Sequence, residues 1–341
     1  SMNKKCLLLV GAFPPDKCGI GDYSYQLVNS DSDKWECLVW KKWILKELPA
    51  LIREINSFKI KNLNLQYPTK SSYASIVPHL VCIYYALFTS KIFTVTLHEN
   101  SRMNIRYRLA ANLFLLFADR VIFTTDFERQ HALKKFPFRK FHYNVIKLFS
   151  NIDKVSIIKK TVDRKYDIAF FGLISSGKNI EKFISVVKKL RAQSCLLKTA
   201  IIGMVADEWK DYVEQLKLQA LNCDIDFIFN LSNREVASIL NNTKYIYLPF
   251  PDGVSERRGS FFAAILNGAI VLTTKGSCTT SEFDSVCYYL GSEEDDVATI
   301  NRLLNDENSK IVQEDLIAYT KKYMPESWKE VSEEYMSLFD E

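Results

Sequence analysis

From Tyr166 the chain reads Tyr166-Asp167-Ile168-Ala169-Phe170-Phe171-Gly172-Leu173-Ile174-Ser175-Ser176-Gly177-Lys178-Asn179, and this segment constrains the architecture more than any other. Its apolar opening, Tyr166–Phe171, predicts a strand, and the glycine-containing loop after it opens a helix over Asn179–Arg191. Strand, loop and helix in that order are one unit of a parallel sheet, because parallel strands need a crossover connection. Downstream the unit recurs, with strands at Thr199–Gly203, Ile225–Phe229, Tyr245–Pro249, Ala269–Thr273 and Val286–Leu290. Helices are expected between them at Glu208–Leu221, Arg234–Leu240 and Ser260–Asn267.

Upstream lies a second series. Strands are expected at Cys6–Val10, Glu36–Trp40, Asn62–Gln66, Ile92–Leu97, Arg120–Phe123 and Asn144–Leu148, with helices from about Asp22 and at Pro49–Phe58, Val77–Phe88, Asn104–Phe117 and Phe127–Phe136. Thr125-Asp126-Phe127-Glu128 has the spacing of a capping box. Strands apolar on both faces and joined by helices predict an α/β chain of two Rossmann-like, doubly wound parallel-sheet domains. A length of 341 residues agrees, since single domains run to about 100–200. The polar, basic segment Asn151–Lys165 is the expected boundary, giving domains over 1–155 and 156–322 with a terminal helical segment over 323–341.

Composition is that of an ordinary globular protein, which excludes fibrous and disordered classes. Ser1 before Met2 reads as an expression scar, and no signal peptide is expected. Ile76–Leu97 is apolar but contains Pro78, His79 and Lys91, so it reads as a helix and a strand, not a membrane span. The eight cysteines, among them Cys195, form no close pairs and combine with none of the four histidines at ligand spacing. Reduced structural thiols, a cytoplasmic setting and no metal are the expectation. The net charge of +5 is concentrated: ten Lys/Arg face three Asp/Glu between Ser101 and Ser150. Within that region Lys134–Tyr143 interleaves basic and aromatic residues, which suits either an anionic lipid surface or a solvated face beside a core strand.

Ligands of open α/β sheets bind beyond the carboxyl ends of the strands, so the unusual sequences after strands are the candidate site, and two such domains facing each other would make a cleft. Gly172, Gly177 and Lys178 follow the phosphate-loop pattern of nucleotide hydrolases up to Asn179, where Ser or Thr should serve magnesium. Whatever the reaction, the loop offers a lysine beside helix-terminal amides suited to phosphate oxygens. The second loop is Leu248-Pro249-Phe250-Pro251-Asp252-Gly253-Val254-Ser255-Glu256-Arg257-Arg258-Gly259-Ser260. Gly259 and Ser260 suit a helix N-terminus close to an anion, with Ser260 as N-cap; Arg257 and Arg258 add guanidinium donors, or else pair with Asp252 or Glu256. His98 and Glu99 end the strand Ile92–Leu97, a position that suits either a ligand contact or a satisfied structural histidine. Asp31-Ser32-Asp33 and Asp224-Ile225-Asp226 are literal Asp-x-Asp strings, both read as solubilising loop residues.

Taken in order, Gly19–Tyr23 after the first strand, His98-Glu99, the Gly172–Asn179 loop and Asp252–Gly268 resemble the retaining glycosyltransferases of the GT-B fold, group 1 and family 4-like, that build bacterial surface polysaccharides and glycolipids. The resemblance covers nearly the whole chain. It implies an N-terminal acceptor domain, a C-terminal donor domain, and a final helix, with Trp328 and Tyr335, returning to the first domain. It further implies transfer of a sugar from a nucleoside diphosphate, UDP by family frequency, to a saccharide or lipid-linked acceptor, without metal or other cofactor. Lys178, Arg257 or Arg258 and the Gly259–Ser260 amides would hold the diphosphate, with Gly172 in the same loop. His98 and Glu256 would serve the sugar, Gly19 and Gly21 would allow close backbone approach, and Phe229-Asn230-Leu231-Ser232 would take the base. The departing phosphate oxygen would accept the proton of the acceptor hydroxyl. The chain departs from the pattern at Ser255 and Ala263, where an acidic pair is usual, and at Leu173, where the accompanying Arg is usual. Those departures keep a catalytically degenerate sugar-nucleotide binder open as an alternative, beside the nucleotide hydrolase.

Overall fold

The computed structural model describes residues 4–99, 101, 103–149, 152–193, 196–305 and 310–340. Cys195 and Asn151, at the start of the expected boundary, lie outside the described residues. The chain divides into two compact units, Ser1–Phe149 with Pro325–Glu341, and Ser150–Met324.

In the first unit β1 (Cys6–Val10), β2 (Trp35–Val39), β3 (Asn62–Tyr67), β4 (Ile92–Leu97), β5 (Arg120–Phe123) and β6 (Tyr143–Val145) form a parallel sheet in the order β2-β1-β3-β4-β5-β6. Its helices are α1 (Gly19–Ser30), α2 (Leu48–Ser57), α3 (Val77–Phe88), α4 (Ile105–Phe117), α5 (Asp126–Lys135) and the terminal α12 (Trp328–Ser337). Alternate strand residues point to opposite faces. Leu7, Leu9, Leu63, Leu65, Phe93 and Val95 pack with Leu51, Ile55, Val81 and Phe114 from α2, α3 and α4. On the other face Cys6, Leu8, Val10 and Ile122 meet Tyr23 and Leu27 of α1 and Val331 and Tyr335 of α12. Each such buried side chain is worth roughly 1.5–3 kcal/mol.

This second face corrects the expectation of strands apolar on both sides. Asn64, Gln66, Thr94 and Thr96 alternate with the leucines and valines of β3 and β4, and all four are fully buried. Burial of uncompensated amides and hydroxyls is costly, so they bond one another and the hydroxyl of Tyr335.

Local expectations shift by a few residues. Helix α1 opens at Gly19, not Asp22, because the extended Cys18 already accepts from the Asp22 amide. The edge strand β6 and the strand at Cys287–Tyr289 are shorter than expected. Thr125 caps α5 by accepting from the Glu128 amide, while the Glu128 carboxylate turns to Ser101, accepting from its amide at 3.0 Å and its hydroxyl at 2.6 Å. A reciprocal capping box forms instead between Ser232 and Glu235, at the start of the helix Asn233–Asn241.

The second unit has β7 (Tyr166–Leu173), β8 (Thr199–Met204), β9 (Ile225–Phe229), β10 (Thr243–Leu248), β11 (Ile270–Thr273) and β12 (Cys287–Tyr289), all parallel, in the order β12-β11-β10-β7-β8-β9. Helices α6 (Ile180–Ala192), α7 (Lys210–Gln219), α8 (Asn233–Asn241), α9 (Gly259–Leu266), α10 (Glu293–Asn305) and α11 (Gln313–Tyr323) connect and flank them. The segment before β7 is pinned to this unit. Buried Arg164 donates to the carbonyls of Lys159, Leu240, Thr243 and Asn267, and burial pulls its guanidinium down to about 10. No helix among the described residues is long and apolar enough to cross a membrane.

Candidate functional site

β7 and β10 are neighbours in the sheet although β8 and β9 separate them in sequence. The connections run outward from β7 to β9 and then return to the other side of β7, so strand order reverses between β7 and β10. Open sheets bind ligands at that reversal, beyond the carboxyl ends. A cavity of about 270 Å³ lies there, lined from the β7 side by Phe171, Gly172, Leu173 and Lys178 and from the β10 side by Pro249, Phe250, Arg257, Arg258, Gly259 and Ser260. The structure thus brings together the sequence candidates Gly172, Lys178, Arg257, Arg258, Gly259 and Ser260 in one place.

Two contacts shape the loops. Asn179 is the N-cap residue of α6 in the left-handed region, φ 61°, and its Nδ2 donates to the Pro249 carbonyl at 3.1 Å, tying the β7 loop to the β10 loop. A magnesium-serving hydroxyl would stand at this position in a nucleotide hydrolase; here the amide is engaged with backbone. Gly203 of β8 lies against Gly172, and a Cβ there would sit 1.9 Å from the Gly172 carbonyl oxygen.

The charges are unevenly engaged. Lys178 is partly buried, lines the cavity and has no hydrogen-bond or ion-pair partner among the described residues. The Arg258 guanidinium stacks 4.7 Å from the Phe250 ring centre and 3.5 Å from Asp252 Oδ2, so the surface pairing and the cavity position are both realised. Asp252 is well exposed, and such a pair contributes about 0–1 kcal/mol. Glu256 is partly exposed in the same loop and is not among the cavity-lining residues.

Helix α9 corrects the expected cap. Its N-cap is Arg258, without a side-chain capping bond, and Ser260 lies inside the first turn. The Gly259 amide is engaged, donating to the Arg257 carbonyl at 3.1 Å, whereas the Ser260 amide has no partner among the described residues. A Cβ built at Gly259 meets nothing within 4 Å. A lysine, a helix-terminal amide and open space beside them suit an anion. Ser255 is buried and its hydroxyl accepts from the Arg257 amide at 3.3 Å; Ala263 is fully buried in the core beneath α9. Leu173, where the resemblance expects an arginine, exposes 64% of its surface at the end of β7.

Asn230 and Leu231 follow β9, with β8 between that strand and β7, and neither lines the cavity. Asn230 is in the left-handed region, φ 58°, and its Oδ1 accepts from the Val205 amide at 2.9 Å.

In the first unit Gly19 opens α1 with nothing within 4 Å of a built Cβ, but Gly21 is buried, and its Cβ would lie 2.9 Å from the Ala12 carbonyl oxygen. That close contact packs the loop after β1 against α1 and accounts for a glycine at this position. His98 follows β4. Its ring meets Tyr23 edge-on at 5.1 Å, and its Nε2 lies 2.8 Å from Gln66 Oε1. The residue keeps some exposed surface, yet its environment desolvates the imidazole and pulls it down to about 4, so it is neutral at pH 7. Gln66 and Asn64 were missed in the sequence. Their signal was the alternation of polar and apolar residues through Asn62–Gln66 and Phe93–Thr96, unusual in the middle of a parallel sheet.

Asp226, of one Asp-x-Asp string, accepts from the Tyr166 hydroxyl at 2.8 Å, at the amino ends of β9 and β7 and away from the cavity. The described residues contain no group of three or more His, Cys, Asp and Glu side chains placed to hold a metal. After α5 the turn Pro137–His142 exposes Phe138 and Phe141, with Lys134 and Lys140 also exposed. Arg139 turns inward to the carbonyls of Leu115 and Ala118 at the end of α4.

No protein-family model matches the chain, and no curated protein matches it in sequence. Solved structures do match. A glycosyltransferase from Rickettsia africae superposes with a TM-score of 0.73 at 12% identity, covering 99% of this chain and 98% of that one. Sucrose-phosphate synthase from Thermosynechococcus elongatus gives 0.68 at 12% identity over 99% and 98% of the two chains. Anabaena HepE, solved with UDP-glucose, gives 0.67 at 13% identity over 98% and 99%. The chain has the fold of these GT-B glycosyltransferases.

Proposed function

We propose that this protein is a retaining, metal-independent glycosyltransferase that moves a sugar from a nucleoside diphosphate, UDP foremost, to a saccharide or lipid-linked acceptor in surface polysaccharide or glycolipid synthesis. One observation carries the reading: Lys178 and the Ser260 amide share a cavity at the β7/β10 reversal and are both without protein partners among the described residues. Negative charge grows on the departing diphosphate as the sugar–oxygen bond opens. A lysine, the Arg257 or Arg258 guanidinium and a fixed amide stabilise that charge without reorganising, and removing one such donor typically costs about 2.7–4 kcal/mol. The departing phosphate oxygen takes the proton of the acceptor hydroxyl, and His98 and Glu256 serve the sugar. The UDP-glucose complex of HepE supports the choice of uridine. The exposed Phe138 and Phe141 with Lys134 and Lys140 suit contact with an anionic membrane on its cytoplasmic face, where a lipid-linked acceptor would be met.

A second reading, a degenerate sugar-nucleotide binder, is favoured by Ser255 and buried Ala263 in place of acidic residues. A thermal-shift panel of UDP, GDP, ADP and CDP followed by turnover of the matching nucleotide sugar in EDTA separates the readings. A UDP-specific shift with turnover surviving EDTA is the expected result. Binding without turnover selects the degenerate binder, loss of turnover on chelation removes the metal-free mechanism, and no nucleotide response removes both readings.

A further inference from the structure

The buried side chains beneath His98 have a fixed hydrogen-bond direction, set by one backbone carbonyl. Leu63 O only accepts, so Thr94 Oγ1, 2.8 Å away, donates to it. That uses the single hydroxyl hydrogen, and Asn64, 3.1 Å from Thr94 Oγ1, must present its amide nitrogen. Asn64 Nδ2 also donates to Thr96 Oγ1 at 3.1 Å, which turns the Asn64 oxygen toward Gln66. Gln66 Nε2 donates to that oxygen at 2.7 Å, so Gln66 Oε1 faces His98 Nε2 at 2.8 Å. An amide oxygen only accepts; hence Nε2 carries the hydrogen, and in the neutral ring Nδ1 is the bare acceptor. Asn64, Gln66, Thr94 and Thr96 are all fully buried, so reversing any link would set donor against donor or acceptor against acceptor where water does not reach. Nδ1 of His98 has no partner among the described residues, and it is not a buried orphan, as both nitrogens of His79 are.

We propose that Gln66, held by Asn64 and Thr94, is a positioning residue that locks His98 as the Nε2–H tautomer and so presents Nδ1 as a hydrogen-bond acceptor to a hydroxyl of the donor sugar. The sugar contact rests on the glycosyltransferase reading above; the tautomer lock does not. A neutral ring with its lone pair outward orders a hydroxyl by accepting from it, whereas the other tautomer would offer a second donor to the same hydroxyl.

Nitrogen-15 NMR of the imidazoles in the full chain tests this, with the His98 signals assigned by their loss in His98→Asn. The expected spectrum at pH 7 has a proton on Nε2 and none on Nδ1; a proton on Nδ1, or exchange between the two forms, overturns the lock. Gln66→Leu should give mixed tautomers and about a tenfold fall in kcat/KM for UDP release from UDP-glucose. A Gln66→Leu protein still wholly in the Nε2–H form overturns the role of Gln66, and should that variant not fold, the parent spectrum decides alone. UDP-glucose should move the Nδ1 resonance and UDP alone should not. An unmoved Nδ1 with UDP-glucose bound by calorimetry overturns the sugar contact, with the tautomer reading judged separately by the parent spectrum.

Discussion

The two sheets are built alike, six parallel strands with one reversal of order, but they finish differently at their carboxyl ends. In the Ser150–Met324 unit the reversal at β7/β10 collects cations: Lys178, without a protein partner among the described residues, Arg257 and Arg258, and a helix-terminal amide. In the first unit the ends of β3 and β4 collect neutral groups, and the last of them, His98, is kept uncharged by its surroundings. One end suits an anion and the other a hydroxyl. The same fold supplies both because its specificity resides in the residues that follow the strands, while the strands fix only where those residues stand.

The comparison can be broken first on the backbone of the cationic end. Gly203→Ala would press a Cβ to 1.9 Å from the Gly172 carbonyl oxygen and 2.8 Å from Ile174, forcing β7 and β8 apart beneath the Lys178 loop. Denaturant unfolding should show a loss of about 3 kcal/mol or more in the Ser150–Met324 unit. A loss under about 1 kcal/mol would mean that the loop does not depend on this close approach.

Acid should act on the neutral end. His79 is buried and stacked on Phe114 at 4.3 Å, and burial pulls it down to about 4. The unfolded chain takes its proton near the ordinary 6.5, so between 6.5 and 4 the unfolded state binds more protons than the folded one. Stability therefore falls as pH falls through that window, by on the order of 3 kcal/mol for His79 alone. His79→Phe should flatten the slope; an unchanged slope would place the acid sensitivity elsewhere.

The smallest expected effect lies at the surface. Liposomes containing anionic lipid should float the protein at low salt and less so near physiological ionic strength, where the screening length is about 8 Å, and Phe138→Ala with Lys140→Ala should weaken the effect. Equal flotation with neutral lipid, or none with either, returns this turn to a solvated face.

How far these ends could be read beforehand follows from what each depends on. Both sheets were legible because apolar runs such as Cys6–Val10 and Ile168–Phe171 bury whichever way they are faced, and the glycine-bearing loop after β7 announces its own turn. The cluster of Lys178 with Arg257 and Arg258 was legible because β7 and β10 each end in a conspicuous loop. The close packing of Gly21 against the Ala12 carbonyl was not, since it is a tertiary contact that leaves no local trace. The cap of α9 was missed because Ser260 has the right chemistry two residues too late, the helix having begun at Gly259. Asn64 and Gln66 were hidden in a different way. Their alternation is visible, but its meaning depends on Thr94, Thr96 and Tyr335, which the chain brings to them from distant positions.

The division of labour itself is tested by calorimetric titration of UDP into the parent, Lys178→Ala and His98→Ala. Lys178→Ala should weaken UDP by about ten- to a hundredfold, the loss of one bond to a charged group, because the diphosphate is its partner. His98→Ala should bind UDP as the parent does while losing turnover, since a bare nucleotide offers it no sugar. Parent-like UDP binding by Lys178→Ala would contradict the account, and the donor site would have to be sought away from the β7/β10 cavity.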